Sequence, residues 1–143
     1  MIKDNDLYFA KVNPNAIIPS KRDEDGGYDV YACFDEDYMV IQPHETKLIP
    51  SGIATAFSPK WVAIIKERGS NGSKGIAQRC GVIDSGYRNE WFVPLSNTND
   101  FSGYPIGNTF TIPATFGCNI NGTGNYDRMI AGKLSDLKIQ IGS

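Results

Sequence analysis

An all-β fold of the sandwich, jelly-roll or barrel kind, with few or no helices, is what this sequence predicts, on three observations. Short runs rich in Val, Ile, Tyr, Phe and Thr show partial alternation of apolar and polar residues. Along the whole length they are punctuated by 15 glycines and 8 prolines. No segment carries a sustained 3.6-residue apolar period, the mark of an amphipathic helix. The runs recur about every 8 to 15 residues, a rhythm suited to strands that cross a sandwich or close a barrel.

The strands expected are Leu7 to Val12, Tyr28 to Ala32, Tyr38 to Ile41, Thr46 to Pro50, Ile53 to Phe57, Trp61 to Lys66, Glu90 to Ser96, Thr109 to Ile112 and Leu137 to Ile141. Pro50-Ser51-Gly52 reads as a turn or bulge between two of them, and Phe57-Ser58-Pro59-Lys60-Trp61 as a hairpin connection. Asn97 to Asn125 breaks the rhythm, being rich in Asn, Gly, Thr and Ser and poor in charge. It is expected to be an inserted hairpin or a mobile loop. With 143 residues, the chain is expected to form a single β domain over 1–143 with a core of its own and no need of disulfide staples.

Charge excludes some partners. Lys plus Arg number 14 and Asp plus Glu 16, a formal net charge of −2, so nothing in the bulk electrostatics favours nucleic acid or an anionic membrane. Cys33, Cys80 and Cys118 are odd in number, widely spaced and free of any CxxC pairing, which fits neither a disulfide framework nor a zinc set. A reducing, cytoplasmic setting is expected. The N-terminus has no apolar signal core, and no apolar run approaches the length of a membrane span.

His44, the only histidine, lies between Pro43 and Glu45 in an apparent turn. A single histidine excludes a multi-His metal site, and a Ser-His-Asp or Cys-His set would rest on this residue alone. General base and metal chemistry therefore fall to carboxylates, whose hard oxygens favour magnesium over zinc. Three clusters supply the candidates. In Asp25-Gly26-Gly27-Tyr28-Asp29-Val30-Tyr31-Ala32, two glycines let the backbone turn into a strand that carries Asp29 near its start; the plain reading is an edge strand with a solvated Asp. In Lys66-Glu67-Arg68-Gly69-Ser70-Asn71-Gly72-Ser73-Lys74-Gly75, an apolar strand opens into a loop with cations, hydroxyls and free backbone N–H groups. Those are the parts a polyphosphate needs, although the P-loop spacing is absent and a flexible hairpin loop has the same composition. In Gly81-Val82-Ile83-Asp84-Ser85-Gly86-Tyr87-Arg88-Asn89-Glu90, a carboxylate and a tyrosine three residues apart sit in a β-prone run. Asp84 there reads as a base or an Asx-turn residue, Tyr87 as a ring platform for a sugar or base or as core packing.

In order and spacing, the three clusters resemble the signature motifs of the trimeric dUTP nucleotidohydrolases (dUTPases). Gly26-Gly27-Tyr28-Asp29-Val30-Tyr31-Ala32 is similar to the first motif, A-G-Y/F-D-L-x-A. Arg68-Gly69-Ser70-Asn71-Gly72-Ser73-Lys74-Gly75 resembles the second, R-S-G/S followed by K-G, with Ser and Gly exchanged. Gly81 to Glu90 matches the third, G-V-I-D-x-x-Y-x-G-E, at most positions. The resemblance covers residues 7 to 96. It implies a jelly-roll-like subunit in a homotrimer with sites where subunits meet, acting on dUTP with Mg2+. Asp84 would be the buried base that deprotonates the water attacking the α-phosphate, giving dUMP and pyrophosphate. Tyr87 would stack under the deoxyribose and exclude a 2′-hydroxyl, Asp29 would hold magnesium through water, and Arg68, Gly69 and Ser70 would meet phosphate. The hairpin around Cys80 to Trp91, with Gly81 and Gln78, would receive uracil.

Beyond residue 96 the pattern departs from the family. The fourth motif, G-D-R-I-A-Q-L, has a distorted counterpart in Tyr126-Asp127-Arg128-Met129-Ile130-Ala131-Gly132-Lys133-Leu134. The fifth, a Gly-rich arm bearing an Arg that closes over the phosphates, is not found before Ser143. Loss of such a cation costs several powers of ten in rate, so the resemblance leaves two readings: a dUTP hydrolase, and a dUTPase-fold nucleotide-binding or regulatory protein with little hydrolysis. The related dCTP deaminases share the fold, but a second motif suited to deamination is not found.

Overall fold

The computed structural model describes residues 2–118. Among them, eleven strands and one short helix follow in the order β1 (Leu7–Lys11), β2 (Tyr28–Tyr31), β3 (Tyr38–Ile41), β4 (Thr46–Pro50), β5 (Ile53–Phe57), β6 (Trp61–Ile65), α1 (Gly69–Gly72), β7 (Ile76–Gln78), β8 (Val82–Ile83), β9 (Phe92–Asn97), β10 (Tyr104–Gly107) and β11 (Thr111–Cys118). The fold is all-β and jelly-roll-like, as expected. Every pairing is antiparallel.

The strands form four small sheets, β1-β5, β10-β3, β2-β11-β6-β8 and β4-β9-β7. Among the described residues no two consecutive strands pair, so each connection carries the chain from one sheet to another. Two sequence expectations are corrected by this. Phe57 to Trp61 is not a hairpin, because β5 pairs with β1 while β6 pairs with β11 and β8; its turn is closed by Trp61 N–H on the Ser58 carbonyl at 3.0 Å. Cys80 to Trp91 is not a hairpin either, since β8 belongs with β6 and β9 with β4 and β7. Ser51 and Gly52 do make a corner. Gly52 has φ 69°, and a Cβ there would lie 2.8 Å from the Ala16 Cβ, so the corner needs glycine.

Alternation builds the core. Tyr28 and Val30 of β2, Trp61, Ala63 and Ile65 of β6, and Val93 and Leu95 of β9 point inward and join one apolar cluster spanning all four sheets. Trp91 is fully buried just before β9, and its indole N–H donates to Thr55 Oγ1 at 3.1 Å. Its carbonyl accepts the Ser51 hydroxyl at 2.7 Å, so a large buried ring also has its polar atoms satisfied.

The segment expected as an inserted hairpin or mobile loop supplies two strands of different sheets. β10 pairs with β3, and β11 pairs with β2 over Thr111 to Ala114 and with β6 over Ala114 to Cys118. Thr109 has φ 73° and stands outside β11. β7, β8 and β10 were not among the expected strands. Leu137 to Ile141 and Tyr126 to Leu134 lie outside the described residues.

Candidate active site

Asp29 owes its place to β2. Its neighbours Tyr28 and Val30 are buried, which turns the Asp29 side chain to the opposite face. Its N–H donates to the Ser20 carbonyl at 3.0 Å, and across the ladder it stands opposite Pro113. Asp29 shares a cleft of about 320 Å³ with Arg68, Arg22, Asp25, Gly26 and Gly27. The structure thus brings together the residues of the first and second clusters. A Cβ on Gly26 would meet nothing within 4 Å, and Gly26 and Gly27 are absent from the positive-φ glycines. Gly26 and Gly27 bend the chain into β2, as expected, and line the cleft.

Arg68 leaves the end of β6 with extended backbone (φ −67°, ψ 147°) and caps α1. Its carbonyl accepts the N–H groups of Asn71 at 3.0 Å and Gly72 at 2.8 Å. The first half of the expected Gly/Ser loop is therefore one helical turn containing Gly69 and Ser70, both exposed. The Arg68 guanidinium donates to the Thr111 hydroxyl at the start of β11. Behind the turn, Gly75 at φ 85° comes so close to Thr98 and Asn99 that a Cβ would lie 3.0 Å or less from their side-chain oxygens. The Gly75 carbonyl accepts both the Thr98 N–H at 2.9 Å and its hydroxyl at 2.7 Å.

Asp84 follows β8, which hangs on β6 through Ile83↔Ala63 and Val82↔Ile64. Its carbonyl accepts the Tyr87 N–H at 3.1 Å, and the Tyr87 hydroxyl donates to the Glu90 carbonyl at 3.0 Å. Both side chains line a cleft of about 190 Å³ with Val82, Ile83 and Phe92. Asp84 is exposed in the single chain, so one subunit does not by itself supply the burial expected of the base. Gly81 and Gln78 sit at the root of this segment. Gly81 has φ 104°, its carbonyl accepts the Ile65 N–H at 2.8 Å, and a Cβ there would lie 2.7 Å from the Gln78 amide oxygen.

The candidates thus fall into two clefts of one chain, Asp29 with Arg68 and Asp84 with Tyr87; Gly69, Ser70, Gln78 and Gly81 line neither of them. His44 lies 2.7 Å from Asp100, away from both sets of lining residues. Arg22, Asp25, Thr111 and Phe92 were not anticipated. The Arg22 and Asp25 pair had a local signal in opposite charges three apart, whereas Thr111 and Phe92 arrive only through tertiary pairing. Arg22 beside Asp25 holds that carboxyl below its usual range.

For a metal, the described residues contain no cluster of three His, Cys, Asp or Glu. Asp25 is engaged by Arg22, while the Asp29 carboxylate accepts no hydrogen bond among the described residues. One hard oxygen donor beside an arginine suits a magnesium ion that keeps most of its water and takes its remaining ligands from phosphate.

The dUTPase family model matches residues 13–102, a span that contains all three clusters. A deoxyuridine 5′-triphosphate nucleotidohydrolase of Leptospira interrogans is 33% identical over 100 residues, covering 67% of this chain and 68% of the relative. The corresponding protein of Neisseria meningitidis serogroup A is 39% identical over 75 residues, covering 50% of this chain and 49% of that one. Among solved structures, the dUTPase of Staphylococcus bacteriophage 80alpha superposes with a TM-score of 0.69 at 19% identity, covering 78% of this chain and 89% of that one. A mutant dUTPase of phage phi11 of S. aureus, described as coordinating a structural Mg(II) ion, gives a TM-score of 0.67 at 19% identity over 77% of this chain and 88% of that one. With the family model spanning most of the chain and a relative one-third identical, the chain belongs to the dUTPase family.

Proposed function

We propose that the chain hydrolyses dUTP to dUMP and pyrophosphate, with Asp84 as the base that takes a proton from the attacking water. The observation that carries this reading is the shared rim of Asp84 and Tyr87, a carboxylate and an aromatic face on one cleft held by a single turn. The water oxygen attacks the α-phosphorus in line with the departing pyrophosphate, and Asp84 holds the proton released. Tyr87, pinned through its hydroxyl to Glu90, gives the deoxyribose a fixed face on which a 2′-hydroxyl has no room. Arg68 and the exposed N–H and hydroxyl groups of Gly69 and Ser70 meet phosphate oxygens. Gln78 and Gly81 shape the root of the segment that receives uracil.

Asp29 would hold Mg2+ through water, and the bound ion would neutralise charge on the phosphate oxygens. Base-side and phosphate-side groups line different clefts of one chain. A homotrimer that sets the Asp29 and Arg68 cleft of one subunit against the Asp84 and Tyr87 cleft of another completes the site and buries Asp84. A cytoplasmic setting fits the unpaired Cys33 and Cys80. Among the described residues no helix is long and apolar enough to cross a membrane.

Pyrophosphate release from dUTP with Mg2+, run beside dCTP, dTTP and UTP, tests the reading. Turnover is expected for dUTP alone, and Asp84→Asn is expected to lower it by about 100-fold or more, the scale of general base catalysis. Turnover no faster than that of Asp84→Asn, with a non-hydrolysable dUTP analogue still bound, would instead make the chain a nucleotide-binding member of its family.

A further inference from the structure

Arg68 is exposed, heads a single helical turn and makes one side-chain hydrogen bond among those described, to Thr111. A loop so lightly packed loses conformational freedom when it meets a ligand, which weakens binding unless something orders it beforehand. The residue before it does so. Glu67 turns back from the end of β6, and its carboxylate accepts the backbone N–H of Gln78 at 2.9 Å.

Gln78 closes β7, whose other side pairs with β9, while β6 belongs to the sheet of β2, β11 and β8. The glutamate therefore ties two sheets together at the point where the chain leaves one for the other. It also satisfies a strand N–H on the side of β7 turned away from β9. Its stem is held as well. Gly72 of α1 folds so close that a Cβ there would lie 3.0 Å from Glu67 Cγ, and the Lys66 ammonium stands 3.5 Å from the carboxylate.

We propose that Glu67 is a positioning residue that fastens the Arg68 turn to the Gln78–Gly81 corner, so that phosphate-side and base-side groups of one chain are held as a unit. The inference rests on the dUTP reading for its kinetic consequence and on geometry for its structural one. One bond from Glu67 reaches Gln78; from there the chain passes through Arg79 and Cys80 to Gly81, whose carbonyl holds Ile65 at the end of β6. The loop from Lys66 to Gly81 is thereby closed at its base by two hydrogen bonds, and Glu67 supplies the one made by a side chain. Because Arg68 and Gln78 do not line the Asp84 cleft of their own chain, loosening them is expected to weaken substrate binding more than the chemical step.

Two readouts on the full chain test the clamp. In steady-state kinetics with dUTP, Glu67→Ala is expected to raise KM about tenfold with kcat within about twofold. Glu67→Gln, which keeps an acceptor oxygen, is expected to restore KM to within about threefold of the parent. In amide hydrogen exchange without substrate, Gln78 is expected to lose protection in Glu67→Ala and keep it in Glu67→Gln. A fall in kcat at unchanged KM, a Gln variant no better than the Ala variant, or unchanged Gln78 exchange in the Ala variant each overturns the proposal. If the parent chain does not hydrolyse dUTP, the functional reading fails by itself, and the exchange experiment still decides the clamp.

Discussion

The carbonyl of Asp84 accepts the backbone N–H of Tyr87 at 3.1 Å, and that one turn sets a carboxylate and a phenol ring on the rim of the same cleft. The ring is then fixed by its hydroxyl on the Glu90 carbonyl at 3.0 Å. Removing the ring should relax sugar discrimination more than it harms dUTP turnover. Tyr87→Ala is expected to lower the preference for dUTP over UTP by about 10-fold to 100-fold, matching the ~1–3 kcal/mol that a packed group contributes to discrimination. Tyr87→Phe keeps the face and is expected to keep most of the preference. Ratios of kcat/KM for the two nucleotides measure both.

Asp29 is the carboxylate of its cleft that is not engaged by an arginine, Asp25 being held by Arg22. Asp29→Asn is expected to raise the Mg2+ concentration for half-maximal turnover by about tenfold, the usual effect of altering a group that orients a metal through its ligands. Saturating Mg2+ should then recover most of the rate, and a chelator should silence both proteins. A Mg2+ titration unchanged by the substitution would remove Asp29 from the metal's surroundings.

Gly81→Ala is a test of backbone strain. At φ 104° the added Cβ would lie 2.7 Å from the Ile65 carbonyl and 2.7 Å from the Gln78 amide oxygen. A loss of about 2–3 kcal/mol in unfolding free energy is expected. In urea the midpoint should drop with an unchanged slope.

Glu67 gives stability a defined pH dependence. The Gln78 N–H, and after it the Lys66 ammonium, hold its carboxyl below the ordinary 4.5. A carboxyl depressed in the folded chain adds stability that is present above its unfolded value and lost as pH falls through the folded one. Glu67→Gln is uncharged throughout, so the parent should exceed it at pH 7 and the difference should vanish well below pH 4.5. With the side chain a quarter exposed, screening keeps the difference below about 1 kcal/mol. Thermal melts of both proteins across pH 3 to 7 measure it.

Strands with alternation and β-branched residues were legible in the sequence; short ones that exist only through pairing were not. Trp61 to Lys66 reads as a strand by itself, and the structure has it over Trp61–Ile65. Ile76 to Gln78 is three residues beside a glycine, and Val82 to Ile83 is two; each is a strand only because β9 or β6 lies alongside. Tyr104-Pro105-Ile106-Gly107 carries a proline and a glycine that argue against a strand, yet it pairs with β3. Pro113 and Pro94 show how sheets accommodate such residues. Pro113 pairs with β2 alone, one residue before β11 gains β6 at Ala114. Pro94 stands one residue beyond the last β7 pair, Gln78↔Leu95. In the candidate site, each motif showed its own chemistry, and Asp29 with Arg68 emerged from two motifs that β11 brings together. The exposure of Asp84 had no local signal, because burial depends on what surrounds a side chain and not on its neighbours in the chain.

The absence of pairing between successive strands also governs how this chain must come into being. β2 ends at Tyr31, and its ladder partner begins at Thr111, so a ribosome has to make nearly all of the described chain before the first of those bonds can close. Each early strand waits with open edges, and sheet formation by distant partners is slow, on the order of milliseconds to seconds. Nascent chains halted before Thr111 should therefore leave β2 open to protease, and its protection should arrive only once β11 has emerged.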